Sequence, residues 1–185
     1  AHAFENKLIE YERKVSEYWP EFGCNGKEDI TVGMLLSHQA GICGSKTDNV
    51  EDYYSQSVMA KELANMHPIW EPGTASGYHS MTYGWLVSEL IIRVTGKTLG
   101  NYFKENIGDP NQIDFHNGLP LAEEKRVAEM IPFPKESNQS STKPNEAQIA
   151  SGSGPNLLKH QNTTKWRSAE IPSANGQGCA SAIAK

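Results

Sequence analysis

The residue best placed to do chemistry is Tyr78, which lies between a turn and a helix. Pro72, Gly73 and Gly77 disfavour a helix before it and favour a sharp turn. The helical pattern that follows places Tyr78 beside the unpaired backbone N–H groups of a first helical turn. A phenol in this position could exchange protons during catalysis. A turn followed by a core tyrosine is the alternative that the same pattern allows.

The helix that positions Tyr78 is predicted from the spacing of its apolar residues. These recur at three- and four-residue intervals and share one face: Tyr83, Leu86, Val87, Leu90, Ile91 and Val94. Glu89 lies four residues before Arg93, a spacing that favours an ion pair on a helix surface. Ser80 or Thr82 could cap the start of this helix, and Gly96 could end it.

Shorter helices are predicted before it. Residues 4–14 fit the end of a helix, and Thr31 can cap a short helix that runs through residues 34–36 and ends at Gly41. Residues 55–66 have the composition of a further helix, with a serine at its start. The region before Tyr78 is therefore expected to be helical and loop-rich.

After the central helix, the sequence predicts a helical hairpin and little β structure. Residues 98–106 form the second helix of the hairpin, halted by Gly108 and Pro110. Residues 113–118 alternate weakly and predict a short strand, and residues 127–131 predict another.

Two segments complete the chain. Residues 132–155 are rich in Pro, Ser, Asn, Gln and Lys, which predicts a polar surface loop. Residues 166–176 are rich in turn formers and lead into a terminal helix. The sequence shows no internal repeat.

Composition narrows the class of protein. At 185 residues the chain could form one domain, and a net charge of −5 gives no indication of a nucleic-acid partner. Hydrophobic residues make up 37% and the mean hydropathy is −0.57, which is low for a chain that buries a sheet on both faces. We therefore expect a piece of a larger domain. Because no apolar run approaches ~18 residues, we also expect a soluble protein.

The spacing of the cysteines and histidines does not predict a metal site. Cys24, Cys43 and Cys179 are scattered, without the spacing of a zinc site or of a disulfide scaffold. Free thiols in a reducing compartment, cytoplasmic or organellar, are favoured, and the compartment is otherwise unknown. The histidines have no ligand spacing and no HExxH motif occurs, so no metal or cofactor is predicted.

Three polar residues close to the turn have competing interpretations. His38 is expected to bond backbone near the turn rather than to act as a base. His79 could face substrate, although a tight turn would point it away from Tyr78. Ser37 lacks the Gly-x-Ser-x-Gly context of a nucleophile and is assigned to capping or packing.

Three stretches together carry a family resemblance: LLSHQAGI at residues 35–42, WEPGT at residues 70–74, and Tyr78 directly before the long helix. In this order they resemble the serine beta-lactamase-like hydrolases, which include class C beta-lactamases, DD-peptidases and related esterases. Residues 166–176 resemble the stretch that precedes a helix near the active-site rim in related esterases.

The resemblance implies a fold. We expect a mainly α chain with short β, the helical lobe and middle portion of an α+β beta-lactamase/transpeptidase-like fold. Most of the antiparallel sheet would lie outside the sequence. Residues 1–185 would then be a single partial domain.

The resemblance also implies site residues. In this family a Ser-x-x-Lys motif supplies the acylated serine and a lysine, and a Tyr-x-Asn motif supplies a tyrosine that exchanges protons with them. Tyr78, His79 and Ser80 occupy the second motif, which makes Tyr78 catalytic and Ser80 and His79 substrate contacts. A serine hydroxyl cannot both donate and accept as an asparagine amide does, so an esterase-like substrate is favoured.

The rest of the machinery is expected outside the sequence. The only Ser-x-x-Lys match, at Ser140 and Lys143, follows the tyrosine, and we interpret it as coincidence. The serine is expected upstream of Ala1 and the C-terminal strand motif beyond Lys185. We predict a small-molecule ester or amide substrate for the parent enzyme, an inactive isolated chain, and no metal, cofactor or nucleic acid. A non-catalytic binding or assembly relative, eroded at Ser80, is the alternative.

Overall fold

Helices are the main regular secondary structure in the part of the chain that this computed structural model describes, residues 1–131, 145–152 and 154–185. The α-helices are α1 His2–Glu5, α2 Val15–Tyr18, α3 Val32–Leu36, α4 Gln56–Asn65, α5 Thr82–Thr95, α6 Leu99–Phe103, α7 Asp109–Asn111, α8 Glu146–Ser151, α9 Thr164–Ser168 and α10 Ala180–Ile183. Short 3-10 segments occupy Pro20–Phe22, Asp52–Tyr54, Leu121–Arg126 and Leu157–Lys159, and a π-helical turn occupies Lys104–Gly108. None of the described helices is long and apolar enough to cross a membrane.

Two short strands form an antiparallel pair. Strand β1, Phe115–His116, pairs with β2, Gln177–Gly178, so that Phe115 faces Gly178 and His116 faces Gln177. The predicted strand at residues 113–118 is therefore confirmed in part. The strand predicted at residues 127–131 is wrong, because the Met130 backbone pairs with the Asn162 side-chain amide instead of another strand.

Helix α5 forms as its apolar spacing predicts, but its buried face is only partly the predicted one, because Tyr83 and Val87 are half-buried whereas Trp85 is fully buried. Its inner face packs against α4, α3 and α6, and the helix buries Trp85, Leu86 and Leu90 almost completely. The predicted Glu89–Arg93 ion pair is present at 2.8 Å. Gly96 ends the helix at φ +70, a conformation that favours glycine.

The start of α5 is capped from a distant part of the chain. Its N-cap residue is Met81, which cannot accept a hydrogen bond as serine or aspartate would. The Ser173 hydroxyl instead accepts the Gly84 backbone N–H at 2.7 Å. The predicted caps are wrong: Thr82 donates to the Ile42 carbonyl oxygen at 2.6 Å, and Ser80 does not cap the helix.

Replacing the distant cap should destabilise the protein modestly. We expect Ser173→Ala to lower the free energy of unfolding by about 1 kcal/mol, the typical cost of a lost N-cap. Guanidinium unfolding measures the change. Ser168→Ala is the matched control, because its hydroxyl donates within its own helix to the Lys165 carbonyl oxygen. Equal unfolding free energies for the two variants would contradict the role of Ser173.

The first helix is shorter than predicted, because the residues that follow it form long-range backbone hydrogen bonds. Helix α1 ends at Glu5, and Lys7 adopts φ +57. The carbonyl oxygens of Tyr11 and Arg13 then accept N–H groups from residues 32–33, which is incompatible with a helix over residues 4–14. The short helix that Thr31 caps is confirmed, but α3 ends at Leu36 and not at Gly41.

The hairpin is confirmed, although its second helix runs on further than predicted. Helix α6 packs against α5, and helical backbone continues through the π turn and α7 to Asn111. Pro110 does not halt it, since this residue lies within α7 itself.

The predicted polar loop at residues 132–155 lies partly outside the described residues, as does the Ser140 to Lys143 match. Within the described part the prediction is wrong. Helix α8 begins with a capping box, in which the Asn145 side chain accepts the Gln148 N–H and Gln148 accepts the Asn145 N–H, each at 2.9 Å. Local polar residues therefore start a helix here.

Candidate functional site

Tyr78 lies on the surface at the turn before α5. Its side chain is 69% exposed, and its ring lies against the His38 ring with centroids 5.1 Å apart. Its hydroxyl makes no hydrogen bond within the described part of the chain. The phenol is thus open to a reacting partner, as a catalytic role requires.

His38 shapes the backbone that carries Tyr78. It adopts φ +63, its carbonyl oxygen accepts the Gly77 N–H at 3.1 Å, and its Nδ1 accepts the His79 N–H at 3.2 Å. Since Nδ1 accepts, the neutral ring carries its proton on Nε2. Burial lowers the pKa of His38, which favours this neutral form. The structure confirms the interpretation that His38 bonds backbone near the turn.

His79 is completely buried beneath the same turn. Its Nε2 accepts the Ile42 N–H at 3.0 Å, and its Nδ1 donates to the Gly77 carbonyl oxygen at 2.7 Å. Burial lowers the pKa of His79 to about 4, so the ring is neutral near pH 7. With both nitrogens engaged, His79 has no group left for substrate. We therefore correct its predicted role from a substrate contact to a support of the Tyr78 turn.

Ser80 remains available. It is half-buried, and its hydroxyl has no hydrogen-bond partner among the described residues. Ser37, by contrast, donates to the Gly33 carbonyl oxygen at 2.8 Å at the end of α3, in agreement with the predicted capping role.

The two sequence motifs before Tyr78 contact each other. The Trp70 indole N–H donates to the Gln39 carbonyl oxygen at 3.2 Å, and the Gly73 N–H donates to the same oxygen at 3.1 Å. The Ile69 N–H reaches the Gly41 carbonyl oxygen at 3.0 Å. LLSHQAGI and WEPGT therefore form one folded unit that supports the tyrosine turn.

A cavity of about 540 Å³ begins beside this turn. Met81, directly after Ser80, forms part of its wall, together with Leu119, Trp166 and Gln177. An Arg126–Asp114 ion pair lies at the same cavity, and the Arg126 guanidinium keeps the pKa of the Asp114 carboxyl low. The mixed apolar and polar wall suits a small organic ligand.

One further polar residue at the cavity is not among the predicted site residues. His116 lies on β1 at the cavity. His116 Nε2 lies 3.2 Å from an Asp114 carboxylate oxygen. Within the described ranges, no group of three His, Cys, Asp or Glu residues could hold a metal ion, and the three cysteines are free.

Comparison with known proteins identifies the family. A model of the beta-lactamase family matches residues 1–185. The chain belongs to the beta-lactamase family.

The proteins that this chain resembles carry names that state different activities. The chain is 43% identical over 126 residues to "Esterase/beta-lactamase LipL" of Mycobacterium tuberculosis (strain ATCC 25618 / H37Rv), an alignment that covers 67% of this chain and 29% of that protein. Among solved structures, a family VIII carboxylesterase is 40% identical with a TM-score of 0.85, covering 95% of this chain and 47% of the other. A penicillin-binding protein homolog from Caulobacter crescentus is 36% identical with a TM-score of 0.87. The match covers 98% of this chain and 48% of that chain.

These findings confirm the predicted family and fold class. EstA from Arthrobacter nitroguajacolicus Rue61a is 33% identical with a TM-score of 0.85, covering 99% of this chain and 50% of that chain. The described residues are mostly helical with one two-stranded antiparallel pair, as expected for the helical part of this fold. The chain spans about half the length of the solved structures that it matches, and less than a third of LipL.

Proposed function

We propose that these 185 residues belong to a serine hydrolase that cleaves an ester or amide through an acyl-serine intermediate. The observation that carries the proposal is the exposed Tyr78 phenol on a turn that two family motifs support. The esterases and the penicillin-binding protein homolog among its relatives support the reaction class. The serine and lysine of Ser-x-x-Lys, and the strand motif, would come from polypeptide outside residues 1–185, with which this chain forms a single domain.

The proposed role of Tyr78 is to exchange protons with the catalytic serine and with the leaving group of the substrate. A tyrosine that acts as a base near neutral pH needs its pKa lowered by ~3, which is about 4 kcal/mol. A helix N-terminus supplies about 0.3–1 kcal/mol, and an adjacent lysine ammonium is the natural source of the rest. Within the described ranges no lysine bonds the phenol. The isolated chain should therefore be inactive.

Ser80 is the proposed substrate contact. Its hydroxyl, which has no partner among the described residues, can make one directed hydrogen bond to an ester or amide group, but it lacks the paired donor and acceptor of an asparagine amide. This favours esters over beta-lactams. The cavity that starts at Met81 is the proposed site for the apolar part of the substrate.

The experiment compares the 185-residue chain with a longer protein that joins it to a Ser-x-x-Lys segment and a C-terminal strand motif. A 4-nitrophenyl ester and a chromogenic cephalosporin are the two substrates. We expect the longer protein to hydrolyse the ester faster than the cephalosporin and to gain the mass of one acyl group. We expect the shorter chain to show no turnover, and a burst of acylation from it would contradict this mechanism.

A non-catalytic binding or assembly protein is the second candidate, favoured by Ser80 in the place of asparagine. The sequence of the longer protein upstream of Ala1 distinguishes the two candidates. A Ser-x-x-Lys there supports the hydrolase, and its absence supports the scaffold.

A further inference from the structure

The hydroxyl of Ser151 connects helix α8 to the backbone of Tyr78. Its Oγ donates to the Tyr78 carbonyl oxygen at 2.7 Å and lies 3.1 Å from the Cys43 carbonyl oxygen. A serine hydroxyl carries one proton, so the shorter contact is the main hydrogen bond. The bond joins residues that are 73 positions apart in the sequence.

Helix α8 packs close to the backbone of Tyr78 because two glycines leave room for it. A Cβ at Gly77 would lie 2.7 Å from the Cβ of Ala147, and a Cβ at Gly44 would lie 2.5 Å from the Ala150 carbonyl oxygen. Real Cβ atoms do not come so close to other heavy atoms, so larger residues would displace the helix. The close packing brings Ser151 within hydrogen-bond distance of Tyr78.

The backbone around Tyr78 is consequently held by two separate elements. His38 accepts the N–H groups of the residues before and after Tyr78, and Ser151 donates to the Tyr78 carbonyl oxygen. The phenol itself has no hydrogen bond among the described residues to fix it. Its location therefore depends on the backbone and on the contact with the His38 ring.

We propose that Ser151 is a positioning residue for Tyr78, acting through its backbone carbonyl group. This inference rests on the proposed function, in which the Tyr78 phenol transfers the proton. Proton transfer requires the donor and acceptor within hydrogen-bond reach, and small misplacements cost rate steeply. Loss of the Ser151 hydroxyl loosens the turn and slows the chemical step without removing a substrate contact.

The kinetic test uses the longer protein with Ser151→Ala, Ser151→Thr and the control Ser168→Ala. We expect Ser151→Ala to lower kcat for a 4-nitrophenyl ester on the order of ten-fold, with KM changed less than about two-fold. Ser151→Thr keeps the hydroxyl and should restore most of the rate. The control should match the wild type. An unchanged kcat in Ser151→Ala, or a rise in KM alone, overturns the inference.

A second measurement separates this inference from the proposed function. Amide hydrogen exchange of residues 77–79 should quicken several-fold in Ser151→Ala, and should stay unchanged in Ser168→Ala. If the wild-type protein hydrolyses no ester, the proposed function fails, and the exchange rates alone decide whether Ser151 holds the turn. Equal exchange at residues 77–79 in all variants overturns the positioning role.

Discussion

Tyr78→Phe in the longer protein is expected to lower kcat/KM for a 4-nitrophenyl ester by about 10³-fold, within the range typical of a lost general acid or base. The substitution removes only the hydroxyl. Because that hydroxyl is exposed and unbonded among the described residues, the free energy of unfolding should change by less than ~0.5 kcal/mol. Steady-state kinetics and guanidinium unfolding measure the two effects on the same samples.

Tyr11→Phe provides the matched control for this prediction. Tyr11 stacks on Phe4 with centroids 4.2 Å apart, away from the tyrosine turn in the sequence, and its hydroxyl has no assigned role. We expect wild-type kinetics from it. If Tyr78→Phe retained the full rate as well, Tyr78 would take no part in proton transfer and the proposed mechanism would be wrong.

Acid should destabilise the protein through His79. The folded state keeps this imidazole neutral, with a pKa lowered to about 4, whereas the unfolded chain has the ordinary value of 6.5. Between these two values the unfolded state binds more protons, so stability falls as the pH is lowered from about 6.5 towards 4. At 1.36 kcal/mol per pH unit, the loss is roughly 3 kcal/mol. The lowered pKa of His38 acts in the same direction.

Unfolding free energies between pH 4 and pH 8 test this expectation, with two variants for comparison. His79→Gln removes the titrating group and should flatten the slope. It should also lower stability at pH 7 by ~2–4 kcal/mol, since the Ile42 N–H and the Gly77 carbonyl group lose their partner. His67→Gln alters an exposed histidine and should keep the wild-type slope. A wild-type slope in His79→Gln would show that another group causes the acid sensitivity.

Short-range patterns predicted much of what surrounds the site. The apolar spacing of α5 anticipated its length and part of its buried face, Gly96 its end, and Thr31 the cap of α3. The backbone role of His38 also agrees with prediction. The helix features depend on neighbours within a few residues, which is the range over which propensity and capping act, whereas His38 bonds the His79 backbone N–H, 41 positions away.

Other features depended on partners far away in the sequence. Lys27 looks like a surface residue, yet it is fully buried, and its Nζ donates to the carbonyl oxygens of Cys24 at 2.7 Å and Met66 at 2.5 Å. Burial lowers the pKa of Lys27. No hydrophobic pattern predicts this, because the compensating acceptors become available only when the chain folds.

The sequence by itself determined the family, the mainly helical fold and the candidate tyrosine, since these follow from local spacing and from motifs that are contiguous in the chain. Only the tertiary structure decided which groups hold that tyrosine. It buried His79, left Ser80 open, and brought Ser173 to α5 and Ser151 to the Tyr78 carbonyl group. Hydrogen bonds between residues more than 70 positions apart form only where packing creates a short distance, and a linear pattern does not contain that distance.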